Sequence, residues 1–544
     1  MGETDLFSRP LKGTLNILMV AAEAVPFAKE GGLGDVMGSL PKFLAGKGHD
    51  VRVVMPRYDG IDSVQCGLTP LVGPLGVPMG DMGELWCAVF RGNYPGTDIP
   101  VYFIEHEHFF KRKGIYNSEN GRSYTDNDRR FIFLSRASLQ LCKILDFKPA
   151  VISVHDWHTA SIPVLLNTVY RDDSFFARTA TVLTIHNMQH QGVFPRRVMD
   201  ILGVGDEHFN VEELEFFGNV NLMKGGIVHA SLLATVSPTY AMEIQTPEFG
   251  CGLEGVINKR HSDLHGVLNG VDYDEWNPET DPFIAAHYSE HDLPGKALCK
   301  QDLQREFGLT ENAGVPVIGL VSRLVKQKGI DILAGAIHRL LRLNIQCVLL
   351  GAGEEWAHSF FGDLPRRYPG KFGCHIGYNN MLAHKIEAGA DFFLMPSRFE
   401  PCGMNQMFSL RYGTLPIVSA TGGLNDTVTN FSEETLEGTG FKFRDLTPDS
   451  LFNTVEWAVR MFYTRKDLIE MIIKRAMTMR FTWDDAADQY EKVFFAAVRG
   501  RLSEDEFRQR FGEILTRGIQ TRSAGNFITV RGAEEHRVSV FEEV

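Results

Sequence analysis

Residues 15–35 read LNILMVAAEAVPFAKEGGLGD, an apolar run that leads into a glycine-rich loop and then into helix-like sequence. Such a corner exposes backbone N–H groups at a helix N-terminus, where phosphates and other anions bind. Lys29 adds a mobile positive charge in front of Gly31 and Gly32. In a P-loop the lysine follows the glycines, and adjacent glycines do not fit G-x-G-x-x-G. The residues alone therefore leave two interpretations open, an anion site and a plain strand-to-helix turn.

Two later stretches have a similar character. Residues 318–329, IGLVSRLVKQKG, form an apolar run that ends in a cationic loop. Residues 395–403 read MPSRFEPCG, and residues 413–424 read GTLPIVSATGGL. Ligands of open α/β sheets bind outside the carboxyl ends of the strands. These loops lie at the ends of predicted strands and are therefore candidate parts of one ligand site.

The composition is ordinary for a globular protein, with 44% hydrophobic and 23% charged residues among 544. At roughly 100–200 residues per domain, this length predicts two or more domains. No apolar run approaches the ~20 residues that span a bilayer, and residues 15–22 are too short for a signal peptide. The net charge of −13 argues against nucleic acid or an anionic membrane as main partner. The eight scattered cysteines lack a C-x-x-C pair and indicate reduced thiols in the cytoplasm.

Short apolar runs alternate with helix-like stretches along most of the chain. We interpret as strands residues 16–22, 51–55, 101–104, 151–154, 181–185, 234–237, 315–321, 346–350, 392–395 and 415–418. This alternation predicts a doubly wound α/β fold with parallel sheets. Turn-rich sequence around Asn269-Gly270 and Trp276-Asn277-Pro278 predicts a domain boundary between residues 270 and 300.

The three loops together resemble the bacterial glycogen synthase and plastid starch synthase family, over about residues 16–498. The resemblance implies two facing Rossmann-like domains, the glycosyltransferase-B fold, with a catalytic cleft between them. The expected parts are an N-terminal domain on the acceptor side (1–270), a C-terminal domain on the nucleotide-sugar side (271–480), a helix that crosses back (481–500) and a charged tail of unknown role (501–544).

The end of the chain carries two further expectations. The i, i+3, i+4 spacing of Tyr490, Val493 and Phe494 predicts one buried stripe on the crossing helix, packed on the first half and ending near Val498. Residues 503–515 are interpreted as an exposed helix, and residues from 517 onward as a weakly ordered tail.

The resemblance implies transfer of glucose from ADP-glucose to the non-reducing end of an α-1,4-glucan, with retention of configuration. The Lys-x-Gly-Gly-Leu loop points to ADP-glucose, although physical reasoning alone leaves UDP-glucose open. The alternatives are a retaining glycosyltransferase with a small acceptor and a catalytically inactive glucan-binding scaffold. The expected partners are ADP-glucose and a glycogen or α-1,4-glucan primer, with no nucleic acid and no membrane. No cofactor is expected, and a homo-oligomer is compatible with the sequence.

Departure of the diphosphate concentrates negative charge, so the site needs fixed cations and N–H donors around the leaving group. Arg can bind phosphate bidentately, whereas Lys acts as a point charge. The resemblance assigns a diphosphate role to Arg323 and Lys328, sugar contacts to Glu400, and a place beside the reacting sugar to His186. The residues expected to be catalytic are Lys29, His186, Arg323, Lys328 and Glu400.

A second set is expected to bind substrate. The resemblance implies that Tyr378 stacks on the base, that Asp35 contacts the donor sugar, and that residues 421–423 hold the distal phosphate. The full set is Gly31, Gly32, Asp35, Asn187, Tyr378, Cys402, Gly403, Met404, Thr421, Gly422 and Gly423. The chain departs from its relatives at two nearby positions: His190 stands where Tyr is common, and Asn405 where many carry Thr.

Each of these residues also has a plain structural interpretation. Arg323 and Lys328 could belong to a solvated loop, Glu400 to a helix cap, and His186 or Tyr378 to the core. No metal site is expected. Residues 155–158, His-Asp-Trp-His, contain metal-type ligands, but neighbouring residues rarely converge on one ion without a distant ligand.

Overall fold

The computed structural model describes residues 13–118 and 121–511. Contacts divide the chain into two units, Thr14–Arg501, which contains all strands found in the described residues, and a second unit made of the two ends of the chain. In that second unit, α19 (Glu504–Phe511) buries Phe507 and Phe511. The interpretation of residues 503–515 as an exposed helix is therefore wrong at those two side chains, and residues 512–515 lie outside the described residues. The predicted tail from residue 517 lies outside the described residues.

The first half of Thr14–Arg501 is built on a large sheet and a small one. Its strands are β1 (Asn16–Val20), β2 (Asp50–Pro56), β3 (Thr69–Pro78), β4 (Glu84–Asn93), β5 (Pro100–Glu105), β6 (Val151–His155), β7 (Ala180–Ile185), β8 (Val193–Pro195), β9 (Glu215–Phe216), β10 (Asn219–Asn221), β11 (Leu232–Thr235) and β12 (Leu264–Gly266). Its helices are α1 (Gly32–Gly46), α2 (Glu107–Phe110), α3 (Asn127–Ile144), α4 (Asp156–Thr159), α5 (Ser161–Asn167), α6 (Val198–Leu202), α7 (Leu222–His229), α8 (Pro238–Glu243) and α9 (Glu254–Lys259).

The second half is built on a single sheet. Its strands are β13 (Val317–Val321), β14 (Gln346–Gly351), β15 (Phe372–Ile376), β16 (Phe392–Met395), β17 (Leu415–Ser419) and β18 (Phe441–Phe443). Its helices are α10 (Pro294–Glu306), α11 (Ile330–Leu340), α12 (Glu355–Arg367), α13 (Asn380–Gly389), α14 (Asn405–Arg411), α15 (Gly422–Thr427), α16 (Pro448–Thr464) and α17 (Lys466–Thr478). The chain then returns to the first half through α18 (Trp483–Arg499).

The strands predicted from the sequence are all present, with ends that differ by at most two residues. The large sheet has the order β12-β11-β7-β6-β1-β2-β5-β4-β3, and the second sheet has the order β15-β14-β13-β16-β17-β18. The second sheet is parallel throughout, but β3, β4 and β5 pair antiparallel. The expectation of parallel sheets is wrong at this edge. β3 contains several Pro and Gly residues, which suit an edge strand and hide it from a search for apolar runs.

Both sheets have the doubly wound strand order. Strands are added first on one side of the first strand and later on its other side. The switch points lie between β1 and β6 in the first half and between β13 and β16 in the second. Ligands of such folds bind in the crevice outside the strand ends at these points. Apolar stripes hold the covering helices in place: α11 buries Ile330, Leu333, Ile337 and Leu340 at helical spacing.

The two halves are connected twice, and the two connections lie side by side. The N–H of Val271 donates to the carbonyl of Phe481 at 2.8 Å, and the N–H of Phe481 donates to the Tyr273 hydroxyl at 3.0 Å. Beside them, Trp276 stacks between His384 and Phe408, with ring centroids 3.9 and 4.0 Å away. The two crossings therefore form one packed connection behind the cleft.

Helix α18 closes the fold by packing on α1, β6 and β7. Tyr490, Val493 and Phe494 are buried, as their spacing predicts, and the helix ends at Arg499. Its outer edge is tied to the first half by Glu491, which accepts from Lys47 at 3.0 Å and contacts His49 at 2.9 Å. None of the helices in the described ranges combines the length and apolar character needed to cross a bilayer.

Candidate active site

The loop after β1 is organised by a buried carboxylate that the sequence did not reveal. Glu23 Oε2 accepts from the backbone N–H of Glu30 at 2.6 Å and from that of Gly31 at 2.9 Å. Its Oε1 accepts from the Tyr116 hydroxyl. Two N–H groups at the corner thus bind Glu23, and for these two donors the structure favours the plain strand-to-helix turn over an anion site.

Lys29 and Asp35 are paired across the start of α1. Lys29 Nζ lies 2.7 Å from Asp35 Oδ1, and half of the lysine side chain stays exposed. Burial raises the pKa of Asp35, although Lys29 counteracts this effect. A side chain added at Gly31 or Gly32 would project into open space. The loop therefore leaves room for a ligand beside a cation that Asp35 holds in place.

His186 follows β7 and is held by two neighbours in the adjacent loop. Its Nε2 lies 3.0 Å from His155 Nδ1, and its backbone N–H donates to Asp156 Oδ1 at 2.7 Å. Burial lowers the pKa of His186 to about 3. The imidazole is therefore neutral at physiological pH and offers a hydrogen bond, not a fixed charge.

Asp156 begins α4 with a positive φ of 54°, an uncommon conformation for a residue with a side chain. Burial raises its pKa to about 7, although N–H donors from His186 and Asn187 counteract the shift. Asp156 thereby orients the two residues that were expected to contact the sugar. The neighbouring His158 stacks on Tyr116 instead, with ring centroids 4.6 Å apart.

Glu400 and Lys328 form a direct ion pair at the second switch point. Lys328 Nζ lies 2.5 Å from Glu400 Oε2, which also accepts from the Ser397 hydroxyl at 2.9 Å. Glu400 is buried at the end of the loop after β16. The pair excludes the plain helix-cap interpretation of Glu400, because its carboxylate is turned towards the cationic loop.

Arg323 extends from the same cationic loop towards the first half. Its Nη2 donates to Gln327 Oε1 at 3.2 Å, and the side chain is otherwise exposed. Burial lowers the pKa of His190, and the Arg323 guanidinium lowers it further. Burial and Glu23 raise the pKa of Glu30, whereas Arg323 lowers it. Arg323 is thus close enough to Glu30 and His190 of the first half to affect their protonation.

The other second-half residues near the predicted substrate site differ in how accessible they are to a ligand. Tyr378 is 84% exposed, which excludes the interpretation as a buried aromatic and leaves its ring accessible. Cys402 is buried, and Gly403 has a φ of 72° with Glu400 directly against it. Asn405 donates its amide to the carbonyl of Val321 at 2.9 Å and so fixes α14 to the end of β13.

The turn at residues 421–423 is already bonded to the protein, contrary to the simple expectation of a phosphate loop. Glu243, at the end of α8, accepts from the Thr421 hydroxyl at 2.8 Å and from the Gly422 N–H at 2.9 Å. The Gly423 N–H donates to the Glu400 carbonyl at 3.1 Å. A phosphate at these donors would have to displace Glu243, so this arrangement does not support the distal-phosphate assignment.

Four polar residues of the site were missed by reasoning from the sequence: Glu23, Asp156 as an orienting group, Glu243 and Ser397. Glu23 had a usable signal, because it is an acidic residue between an apolar strand and a glycine-rich loop. Glu243 had none, since its partner Thr421 lies 178 positions away.

Two Rossmann-like domains with polar groups gathered at both switch points define a glycosyltransferase of the GT-B fold. Residues 16–259 match the model of the starch synthase catalytic domain, and residues 303–475 match that of glycosyl transferases group 1. The chain belongs to the glycogen synthase and starch synthase family, as its relatives show.

Glycogen synthase 1 of Geobacter metallireducens is 60% identical over 92% of this chain and 99% of its own length. Glycogen synthase 1 of Geobacter sulfurreducens is 59% identical, with the same coverage of both chains. Among solved structures, the catalytic domain of starch synthase IV from Arabidopsis thaliana, bound to ADP and acarbose, superposes with a TM-score of 0.82. It is 33% identical and covers 89% of this chain and 99% of its own.

Proposed function

We propose that the protein transfers glucose from ADP-glucose to the non-reducing end of an α-1,4-glucan and retains the configuration at C1. The observation that carries this proposal is the Lys328–Glu400 pair at the second switch point, with Arg323 in the same cationic loop as Lys328. The ADP and acarbose bound by the related starch synthase support a nucleotide and a glucan as ligands.

The donor would bind mainly to the second half. Arg323 and Lys328 would neutralise the charge that develops on the diphosphate as the C1–O bond breaks, the term that usually dominates such catalysis. When Lys328 turns to the diphosphate, Glu400 is released to accept hydrogen bonds from the sugar. Tyr378, with its exposed ring, is the proposed platform for the base.

The first half would complete the site from the acceptor side. Lys29 extends from the loop over α1, and neutral His186 would accept or donate one hydrogen bond beside the reacting sugar. A cavity of about 420 Å³ lined by Trp157, His190 and Gln191 adjoins this position and suits an incoming glucan end. Retention here requires no pair of glycosidase-type carboxylates.

We further propose the domain division 1–270, 271–480, 481–500 and 501–544, and a cytoplasmic location for the chain. A homo-oligomer is part of the same proposal, to be tested by light scattering. These statements rest on the relatives and on the sequence.

One assay tests the proposal. Release of nucleoside diphosphate is measured from ADP-glucose and from UDP-glucose, each with and without glycogen primer. We expect primer-dependent release of ADP, with a kcat/KM for ADP-glucose well above that for UDP-glucose. Preference for UDP-glucose would contradict the donor assignment, and release that ignores glucan but responds to a small acceptor would contradict the acceptor assignment.

A further inference from the structure

A second cluster of chemically active side chains lies away from the cleft, where the chain between α6 and β9 folds back on α7. His208 ends a short 3-10 turn, Glu213 follows five residues later, and His229 is the last residue of α7. Glu213 Oε2 lies 2.7 Å from His208 Nδ1 and 3.1 Å from His229 Nε2. Within the described residues, these three bring ligand atoms within 4.8 Å of one another.

The donor set is that of a metal site. Two imidazoles and one carboxylate are a known three-residue set for Zn²⁺, with a fourth position left to water. Ligand atoms about 2.0–2.1 Å from a tetrahedral ion lie roughly 3.3 Å from one another. Both distances from Glu213 Oε2 are shorter than that spacing, and the ligand atoms of His208 and His229 lie within 4.8 Å of each other, so side-chain rotations that spread the three groups would admit an ion. Each side chain is between 11% and 25% exposed, which leaves a path for entry.

Glu213 is held in place by its neighbours. Both hydrogen-bonding contacts from the imidazoles end on the same oxygen, Glu213 Oε2, which therefore lies between the two rings. Asn210 Nδ2 holds the second carboxylate oxygen at 3.3 Å and fixes the orientation of Glu213.

We propose that His208, Glu213 and His229 form a structural binding site for one zinc ion. On binding, the protons that the two imidazoles donate to Glu213 move to their opposite ring nitrogens, with no net release. Glu207 Oε1 lies 3.9 Å from His208 Nε2 and is placed to accept the relocated N–H as an outer partner. The ion replaces two hydrogen bonds by three coordinate bonds.

Three protein ligands with an open fourth position are typical of catalytic zinc sites. Here the site takes no part in catalysis, and its role is structural, because α7 separates it from the cleft. At the opposite end of this helix, Asn221 donates to Gln191 Oε1 at 2.7 Å, and Gln191 follows His190 in the cleft loop. Eight residue steps of 1.5 Å from Asn221 place His229 about 12 Å further along the axis. The ion would tie the segment between α6 and β9 to α7 and contact no substrate.

Calorimetric titration of the full-length, EDTA-dialysed protein with ZnCl₂ tests the proposal. We expect one equivalent to bind, with a rise in Tm when zinc is present. Glu213→Gln keeps the shape and hydrogen bonding of the cluster, and His229→Gln removes one ligand. Each should weaken binding by more than the roughly 10–100-fold that follows loss of an outer partner. His261→Gln, at an exposed histidine outside the cluster, is the matched control and should bind as the unchanged protein does.

Two results would overturn the site. One is the absence of saturable binding near one equivalent; the other is equal affinity in the Glu213→Gln protein and the control. Circular dichroism establishes that each variant is folded before titration. The kcat of the zinc-free protein should match that of the zinc-bound protein within about twofold, because a structural ion leaves the chemical barrier almost unchanged. A larger loss would contradict the structural role. This test does not depend on whether ADP-glucose or UDP-glucose is the glucose donor.

Discussion

At the residue scale, Asp156 combines an uncommon backbone conformation with a shifted side-chain pKa. Its carboxylate is buried, accepts from the His186 and Asn187 N–H groups, and begins a helix in a conformation that side chains rarely adopt. The pKa of Asp156, about 7, is above its usual value because of burial. The folded state therefore holds this proton more tightly than the unfolded state, and stability falls as pH rises from about 4 to 7.

Replacing this carboxyl group should remove that pH dependence. In Asp156→Asn, the amide oxygen still accepts the His186 N–H, but no proton is lost on raising the pH. We expect the Tm of the variant relative to the unchanged protein to increase by a few degrees between pH 5 and pH 8. Asp173→Asn is the control, because its ion pair with Lys143 lowers the pKa of Asp173, away from this range. Parallel Tm curves for Asp156→Asn and the unchanged protein would contradict the argument.

Arg323 is the residue whose loss should affect chemistry most directly. Arg323→Ala should lower kcat by roughly 10²–10³, the scale for removing one preorganised donor to developing charge. Lys326→Ala is a matched control, since Lys326 is an exposed cation of the same loop with no assigned contact. Steady-state kinetics with ADP-glucose and primer measure both variants. Near-normal turnover of a folded Arg323→Ala protein would contradict the assignment of Arg323 to the diphosphate.

The sequence identified residues that stand at strand ends but not the partners that hold them. Lys29, His186, Arg323 and Glu400 each follow an apolar run. The structure brings Lys29, Arg323 and Glu400 to the two switch points and places His186 after β7, the strand next to β6. Glu243 could not be found, because its bond to Thr421 depends on how the two halves pack. Periodicity describes the faces of single elements and carries no information about such distant pairs.

At the element scale, the loop between β1 and α1 depends on Glu23. Glu23→Ala would leave the Glu30 and Gly31 N–H groups unpaired and release the loop that carries Lys29. We expect kcat to fall by about 10²-fold, the cost associated with a misplacement near 1 Å. Glu23→Gln retains an acceptor for both N–H groups and should recover most of the activity. Equal losses in the Ala and Gln variants would show that the charge of Glu23, not its placement of the loop, is what matters.

The burial patterns of single strands explain why some strands were predicted and others were missed. β16 is buried at every position and reads as an uninterrupted apolar run. In β3, by contrast, proline and glycine interrupt the pattern, and six of its ten residues are exposed. Its place in the sheet comes from pairing with β4, a contact that no local pattern encodes.

At the scale of the whole molecule, catalysis should require the halves to close on each other. Lys29 and His186 belong to one half, while Arg323 and Glu400 belong to the other. Small-angle scattering with and without ADP plus a malto-oligosaccharide should show compaction on binding, as in other enzymes gated by domain motion. This expectation would be contradicted if the scattering profiles with and without ligands were identical and the ligand-free protein were more open than the present structure.

The C-terminal tail should be dispensable for turnover. Deleting residues 503–544 should leave kcat on ADP-glucose and primer within about threefold, equivalent to ~0.7 kcal/mol in the barrier. The curated relatives already align over nearly their full length while covering 92% of this chain. Gel filtration of the shortened protein establishes that it is monodisperse. A hundredfold loss in such a protein would place the tail within the active enzyme.

The paired crossings at Val271 and Phe481 limit how the halves can move. A single linker permits rotation about any axis and also twisting, whereas two adjacent crossings act as one hinge with a single axis. Rotation about the line through both crossings keeps their mutual hydrogen bonds, whereas twisting would break them. The bonds of Thr239 and Glu243 to the second half restrict the motion further. We therefore expect each closure to bring Lys29 and Glu400 together in the same arrangement.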